Sequence, residues 1–228
     1  MPLSAPQSAA QSASHPAAQP RYHIHPYPAA LIDTRSSGAA GRLTLRPVLP
    51  QDDVLLAALV EGLSPAARRN RFHGAVKLSP IWLQQMSCVD YRQQLALVVT
   101  AQVAGAEQVV ADARYVVEAD GQGAEFALMV AEPWQHHGVG TWALRALQRA
   151  ATQAGLRWLN GEVLEDNAPM LGLMRRSGFA LCPHPEDERL VRVQQCLGTS
   201  VASTPRARHG VLRWLARALP GRAQIATA

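Results

Sequence analysis

Apolar residues follow two different periods along this chain. Leu43-Thr44-Leu45-Arg46 alternates and stops at Pro47, which predicts a first strand. A run at helical spacing follows from Val54 to Leu63, opened by Gln51-Asp52-Asp53 as a cap. Ser64-Pro65 and Ser79-Pro80 each set a capping hydroxyl before a proline suited to the first helical turn. They predict two more short helices, the second running through Met86. Leu95 to Val103, Gln108 to Glu118 and Gly123 to Val130 are β-rich, and short glycine-containing connectors make them antiparallel hairpins. The period then becomes helical from Gly138 to Ala154, with Trp142, Leu144 and Leu147 toward one side and Gly155 as the stop. A strand from Trp158 to Leu164, a helix from Asn167 to Ser177 ending at Gly178, and a strand pair (Phe179 to Cys182, Leu190 to Leu197) complete the pattern. The expected class is α/β of the α+β kind: a mixed, mostly antiparallel sheet flanked by helices, with one parallel crossover in the middle.

The sharpest local signal is Gln135-His136-His137-Gly138-Val139-Gly140-Thr141, between a strand and the long helix. Glycine lets a backbone approach a ligand closely. A helix start offers free N–H groups and the positive end of the helix dipole. Together they make a cradle for a pyrophosphate. No Gly-Lys-Ser/Thr follows, so this is not a Walker loop. Gly138 to Ala143 also fits the dinucleotide fingerprint GxGxxA, with Glu162 about 20 residues on. That fingerprint should follow its strand tightly, whereas Ala131 to His137 intervene here.

Gln-x-x-Gly-x-Gly after a strand and Pro133-Trp134 resembles the acetyl-CoA pyrophosphate motif of GNAT N-acetyltransferases. Asn167-Ala168-Pro169-Met170-Leu171, followed by Ser177-Gly178-Phe179, resembles the same superfamily's helix that ends in a Gly-Phe pair, with an Asn near its start facing the cofactor. Tyr27-Pro28, Leu31, Leu43 to Pro47, Leu63-Ser64, Arg71-Phe72, Asp90-Tyr91, Ala124 to Ala127 and Gly161 to Leu164 are similar to the acetyltransferase domain of bacterial Pat-type protein lysine acetyltransferases. The resemblance covers roughly Tyr27 to Leu197. It implies a GNAT fold, acetyl-CoA as cosubstrate without a metal, and direct attack by an amine, with a protein lysine as acceptor. Many such proteins add a large acyl-CoA-synthetase-like domain or a small nucleotide-sensing one; neither is expected here.

The implied cofactor-binding residues are Met129, Val130, Gln135, His136, His137, Gly138, Val139, Gly140, Thr141 and Asn167. Met129-Val130 should pair with the pantetheine arm as another strand would. Glu125 is the candidate general base. It sits among apolar residues on a strand, where a carboxylate tends to be a better base, and it matches the strand glutamate of GNAT protein acetyltransferases. Glu162 on the next strand is the reserve, or else a structural partner for an arginine. The helix from Asn167 to Ser177 lacks the tyrosine with which many GNAT enzymes protonate the leaving thiolate, so no acid is assigned. Acetylation of a small amine, and a non-catalytic acyl-CoA sensor, remain alternatives.

Composition adds limits. The formal net charge is +5, and Lys77 is the single lysine, so nearly all positive charge is arginine. The arginines are scattered with few aromatics among them, which argues against a nucleic-acid partner. No apolar run reaches the roughly 18 residues of a membrane span, and no signal peptide is evident, so the expected location is cytoplasmic. Three separated cysteines fit no zinc or disulfide pattern. Residues 1–26 form an Ala/Ser/Gln/Pro-rich tail expected to be disordered. Residues 27–198 form the acetyltransferase domain, in which Tyr27 and Leu31 pack on the edge. Residues 199–228 are expected to be a basic tail in which Arg206 to Leu219 has the pattern of an amphipathic helix, suited to packing on its own domain or on a second subunit rather than on a membrane surface.

Overall fold

The computed structural model describes residues 25–36, 41–74 and 78–198. Lys77, residues 1–24 of the expected tail and the helix expected at Arg206 to Leu219 lie outside them. The strands are β1 (Asp33–Ser36), β2 (Arg42–Pro47), β3 (Gln94–Val103), β4 (Ala106–Val117), β5 (Gly123–Val130), β6 (Trp158–Leu164), β7 (Ala180–Pro183) and β8 (Leu190–Cys196). The helices are α1 (Asp53–Glu61), α2 (Pro65–Phe72), α3 (Pro80–Ser87), α4 (Val139–Gln153) and α5 (Ala168–Arg176). One eight-stranded sheet has the order β1-β2-β3-β4-β5-β6-β8-β7. Every neighbouring pair is antiparallel except β5 and β6. This is the expected GNAT-like mixed sheet with its single parallel crossover.

Local chemistry explains the helix starts. The Ser64 hydroxyl accepts from Ala67 N at 3.1 Å, the Ser79 hydroxyl from Trp82 N at 3.2 Å, and Asn167 Oδ1 from Met170 N at 3.3 Å. Each satisfies one N–H that a helix start leaves orphaned. The cap expected at α1 is different. Asp52 accepts instead from Leu49 N at 2.7 Å and from both terminal nitrogens of Arg46, at 2.7 and 2.8 Å. A buried carboxylate does better with a bidentate arginine than with one helix N–H. β1 was not anticipated, because Asp-Thr-Arg-Ser has no apolar alternation; it is held by pairing with β2 and by Trp142 Nε1 donating to Asp33 at 2.8 Å.

Alternation along the strands builds two cores. Leu43, Leu45, Leu95, Leu97, Val99, Phe126 and Leu128 pack with Trp142, Leu144 and Leu147 of α4 and Leu171 of α5. Ala96, Val98 and Met129 pack on the other face with Leu56 and Val60 of α1 and Trp82 and Met86 of α3. Tyr27 closes one edge as expected. Its hydroxyl donates to Pro47 O at 3.1 Å, and its ring meets Tyr91 edge-on at 5.8 Å.

The site follows from how β5 meets β6. Their parallel pairing has three rungs, Gly123 with Trp158, Ala124 with Leu159 and Glu125 with Asn160. β5 then runs on to Val130, paired on its other side with β4, while β6 runs on to Leu164, paired with β8. The two strands leave a wedge in the middle of the sheet, closed at Glu125 and open at Val130.

Candidate active site

Past the open end, the chain makes a short 3₁₀ turn (Glu132–Trp134) and then the loop to α4. His136 (φ 63°) and Gly138 (φ 79°) both take the left-handed conformation. Glycine adopts it freely, and a histidine tolerates it at modest cost. Gly138 stands as N-cap and provides no side-chain cap, so the first N–H groups of α4 face outward with no cap among the described residues. Gln135 turns inward, its amide nitrogen donating to Val130 O at 3.0 Å. The glutamine therefore braces the loop against the end of β5. Ser64 is tied to the same turn, its N donating to Glu132 Oε1 at 3.1 Å, and hydrogen bonding from the Ser64 side chain first and its backbone second holds the Glu132 carboxyl below its ordinary range.

A groove of about 610 Å³ runs along this loop and into the wedge. Of the ten residues predicted to hold the cofactor, Met129, Val130, Gln135, His136, Gly138, Gly140, Thr141 and Asn167 line it. His137 and Val139 lie outside the lining. His137 Nδ1 is 2.6 Å from Gln135 O, and Val139 is buried in the core under α4. A helix places successive side chains on different faces, so Val139 supplies its backbone end to the loop and its side chain to the interior. A Cβ on Gly140 would meet Val130 at 3.4 Å, Leu173 at 3.6 Å and Leu128 at 3.8 Å, all groove walls. Glycine here keeps the floor of the groove open.

At the closed end a smaller cavity of about 40 Å³ continues the groove, lined by Phe126, Gly161, Glu162, Asn70, Arg71 and His73 among others. Glu125 lies at this end with 6% of its surface exposed, and it lines neither cavity. Glu162 does line the small one. Its partner is a histidine and not an arginine, with His184 Nε2 3.2 Å from Oε1. Glu186 N and Asp187 N donate to His184 Nδ1, so the proton on this ring belongs on Nε2, facing Glu162. Burial holds His73, at the C-terminal end of α2, below its ordinary pKa, although the nearby Glu162 charge pulls the other way.

Two arginines lining the groove were given no site role from the sequence, although Arg71 carries part of the family resemblance. Arg176, in the last turn of α5, lines its α5 side, and Arg71, from α2, lines both cavities. The usable signal for Arg176 was its place one helical turn beyond Gly172, on the helix that starts at Asn167. For Arg71 no spacing rule exists, because it comes from a different element. The dinucleotide alternative fits poorly: Gly138 lies eight residues beyond the last residue of β5, and Glu162 is engaged with His184.

Residues 42–180 match the family model described as acetyltransferase (GNAT) domain. Acetyltransferase Pat of Mycolicibacterium smegmatis is 36% identical over 136 residues, which are 59% of this chain and 40% of that protein. The chain thus matches less than half the length of this relative. The GNAT domain of PAT from S. lividans superposes with a TM-score of 0.67 at 23% identity, over 75% of this chain and 99% of that one. yncA from Salmonella typhimurium, solved with its cofactor acetyl-CoA, has a TM-score of 0.56 at 18% identity over 70% of this chain and 96% of its own. Among the described residues no helix is long and apolar enough to cross a membrane, and no group of His, Cys, Asp or Glu is placed to hold a metal ion. With the family model spanning more than half of the chain, and the wedge, loop and helix all falling inside it, this protein belongs to the GNAT acetyltransferase family.

Proposed function

We propose that this GNAT acetyltransferase transfers the acetyl group of acetyl-CoA to the side-chain amine of a protein lysine, with Glu125 as general base. The observation that carries the proposal is the wedge: a buried glutamate at its closed end and an uncapped helix start at its open end. The pyrophosphate belongs on the N–H groups of α4, where the helix dipole favours negative charge. Arg176 adds a cation on the same groove. The pantetheine arm belongs against the free side of β5 near Met129 and Val130, between the apolar walls Leu128 and Leu173.

A lysine amine has an ordinary pKa near 10.4, so about one in a few thousand is neutral at pH 7, a cost of roughly 4–5 kcal/mol. The reaction needs that proton removed. Glu125 takes it through water, since the carboxylate does not line the cavity itself. The amine nitrogen then attacks the thioester carbon, the N–C bond forms and the C–S bond breaks. Overall, an ammonium and acetyl-CoA become an acetamide, the CoA thiol and one proton. α5 brings Met170, Gly172 and Leu173 to the groove and no tyrosine, so the thiolate receives its proton from water.

Glu162 is the second candidate base, favoured by one observation: its carboxylate lines the small cavity. Two variants separate the pair. Glu125→Gln should lower kcat by about 10²–10⁴-fold while calorimetric acetyl-CoA affinity holds, whereas Glu162→Gln should cost much less. The reverse order would move the base to Glu162. Binding of NADH in place of acetyl-CoA in the same titration would defeat the acetyl-CoA assignment.

A further inference from the structure

Two arginines are buried among the described residues, Arg114 and Arg71, and only Arg114 is paired. Arg114 forks onto Asp112 at 2.6 and 2.9 Å and reaches Met86 O at 3.2 Å. Arg46 forks onto Asp52. Arg71, 6% exposed, has no hydrogen-bond partner for Nε, Nη1 or Nη2 among the described residues. Its guanidinium carbon lies 4.9 Å from the centroid of the adjacent Phe72 ring. An arginine carries five donors, and burying them without acceptors is costly unless something else supplies the acceptors. The Asp112 charge is near enough to be felt, but both Asp112 oxygens are already engaged by Arg114. Burial lowers the Arg71 pKa to about 10, which still leaves it cationic at neutral pH.

Its position gives the donors a purpose. Arg71 lines both the groove and the small cavity, at the end of the wedge away from the helix start assigned to the pyrophosphate. A 40 Å³ space admits a small polar group and not a second phosphate chain. The group that satisfies a planar guanidinium fork best is a carboxylate. Glu162 also lines this cavity, but its Oε1 already faces the His184 ring.

We propose that Arg71 is a carboxylate-binding residue at the reacting end of the site, so that the preferred substrate carries a carboxylate beside the reacting centre. This rests on the acetyltransferase assignment and adds the substrate's chemistry to it. Two sources share that chemistry. The carboxylate can end the acyl chain of a dicarboxylic acyl-CoA such as malonyl- or succinyl-CoA. It can equally belong to the amine acceptor, as in an amino acid or a peptide with an acidic group beside its lysine.

The test begins with calorimetry of the full chain against acetyl-CoA; no binding would sink the acetyltransferase assignment and leave the carboxylate site to be judged by direct titration of an amino acid against its amide. With binding in hand, kcat/KM is measured in two arms. One compares succinyl- and malonyl-CoA with acetyl-CoA on a single acceptor. The other uses acetyl-CoA and compares an amino acid or acidic peptide with its neutral amide. The carboxylate-bearing substrate should win by about tenfold or more in one arm, and that arm names the source. Arg71→Gln should bring the ratio to near one, and Arg71→Lys should restore part of it. Each ratio is taken within one protein, so a general loss of activity cancels. Should both variants fail to fold, competition of succinate against succinamide for the wild-type protein decides the matter. No carboxylate preference in either wild-type arm, a ratio that survives Arg71→Gln, or equal competition by succinate and succinamide would overturn the proposal.

Discussion

Along β5, Phe126 and Leu128 join the core under α4 and α5, whereas Met129 joins the core under α1 and α3. The alternation puts Glu125 on the Met129 side. The α4–α5 face is aliphatic and aromatic throughout, with Leu144, Leu147 and Ala151 fully buried. The α1–α3 face buries charge beside its apolar core: Asp52 with Arg46, Asp112 with Arg114, and Arg71 near Glu125. One sheet thus serves two purposes. Its apolar face holds α4 rigidly, so that the helix start is fixed at the mouth of the groove. Its polar face carries Glu125 and Arg71, the groups proposed to handle a proton and a charged substrate.

Stability should expose this difference. Asp112→Ala strands the Arg114 guanidinium in the interior and should cost about 3–5 kcal/mol in urea unfolding. Leu147→Ala on the other face should cost about 2–5 kcal/mol through a cavity. The faces part company in a second step: replacing Asp112 and Arg114 together by Leu and Met should cost less than Asp112→Ala alone. Additive losses would mean the two charges do not depend on each other, and the contrast between faces would fail.

Gly140 allows the fold to be separated from the site. The neighbours of an added Cβ are at ordinary contact distance, so Gly140→Ala should leave the melting temperature unchanged or slightly higher. The same methyl narrows the groove, and acetyl-CoA affinity by calorimetry should fall by about tenfold, or ~1.4 kcal/mol. Unchanged affinity would show that the groove floor does not bear on the ligand.

The smallest expected effect is a pH dependence on the polar face. His73 closes α2 at φ 54°, and burial keeps its ring neutral below the ordinary 6.5. As pH falls through 6.5, the unfolded chain takes up a proton before the folded one does. Stability should therefore decline from about pH 6.5 downward, until the folded ring also titrates. His73→Asn, which tolerates the same backbone conformation, should flatten that slope in urea midpoints measured between pH 7.5 and 5. An unaltered slope would assign the dependence to other groups.

Regular elements were readable wherever one period ran uninterrupted. β5 and β6 fall on their predicted bounds, and α4 starts one residue after Gly138 and stops two residues before Gly155. β1 was not readable, since its four residues are polar and it exists because β2 offers an edge. The loop before α4 was legible because its conformation is written in local glycines. The roles within it were less so: Gln135 spends its amide on Val130 O, and Val139 turns into the core.

The sequence by itself determined the class, the order of strands and helices from β2 onward and the glycine loop before α4, because periodicity, caps and glycines act over a few residues of chain. Only the tertiary structure decided that β5 and β6 part after three rungs and that Arg71 from α2 comes to lie in the field of Glu125 from β5. Those residues are more than fifty positions apart. Nothing in the local pattern of either one specifies the other. The packing of α2 over the polar face of the sheet brings their charges together.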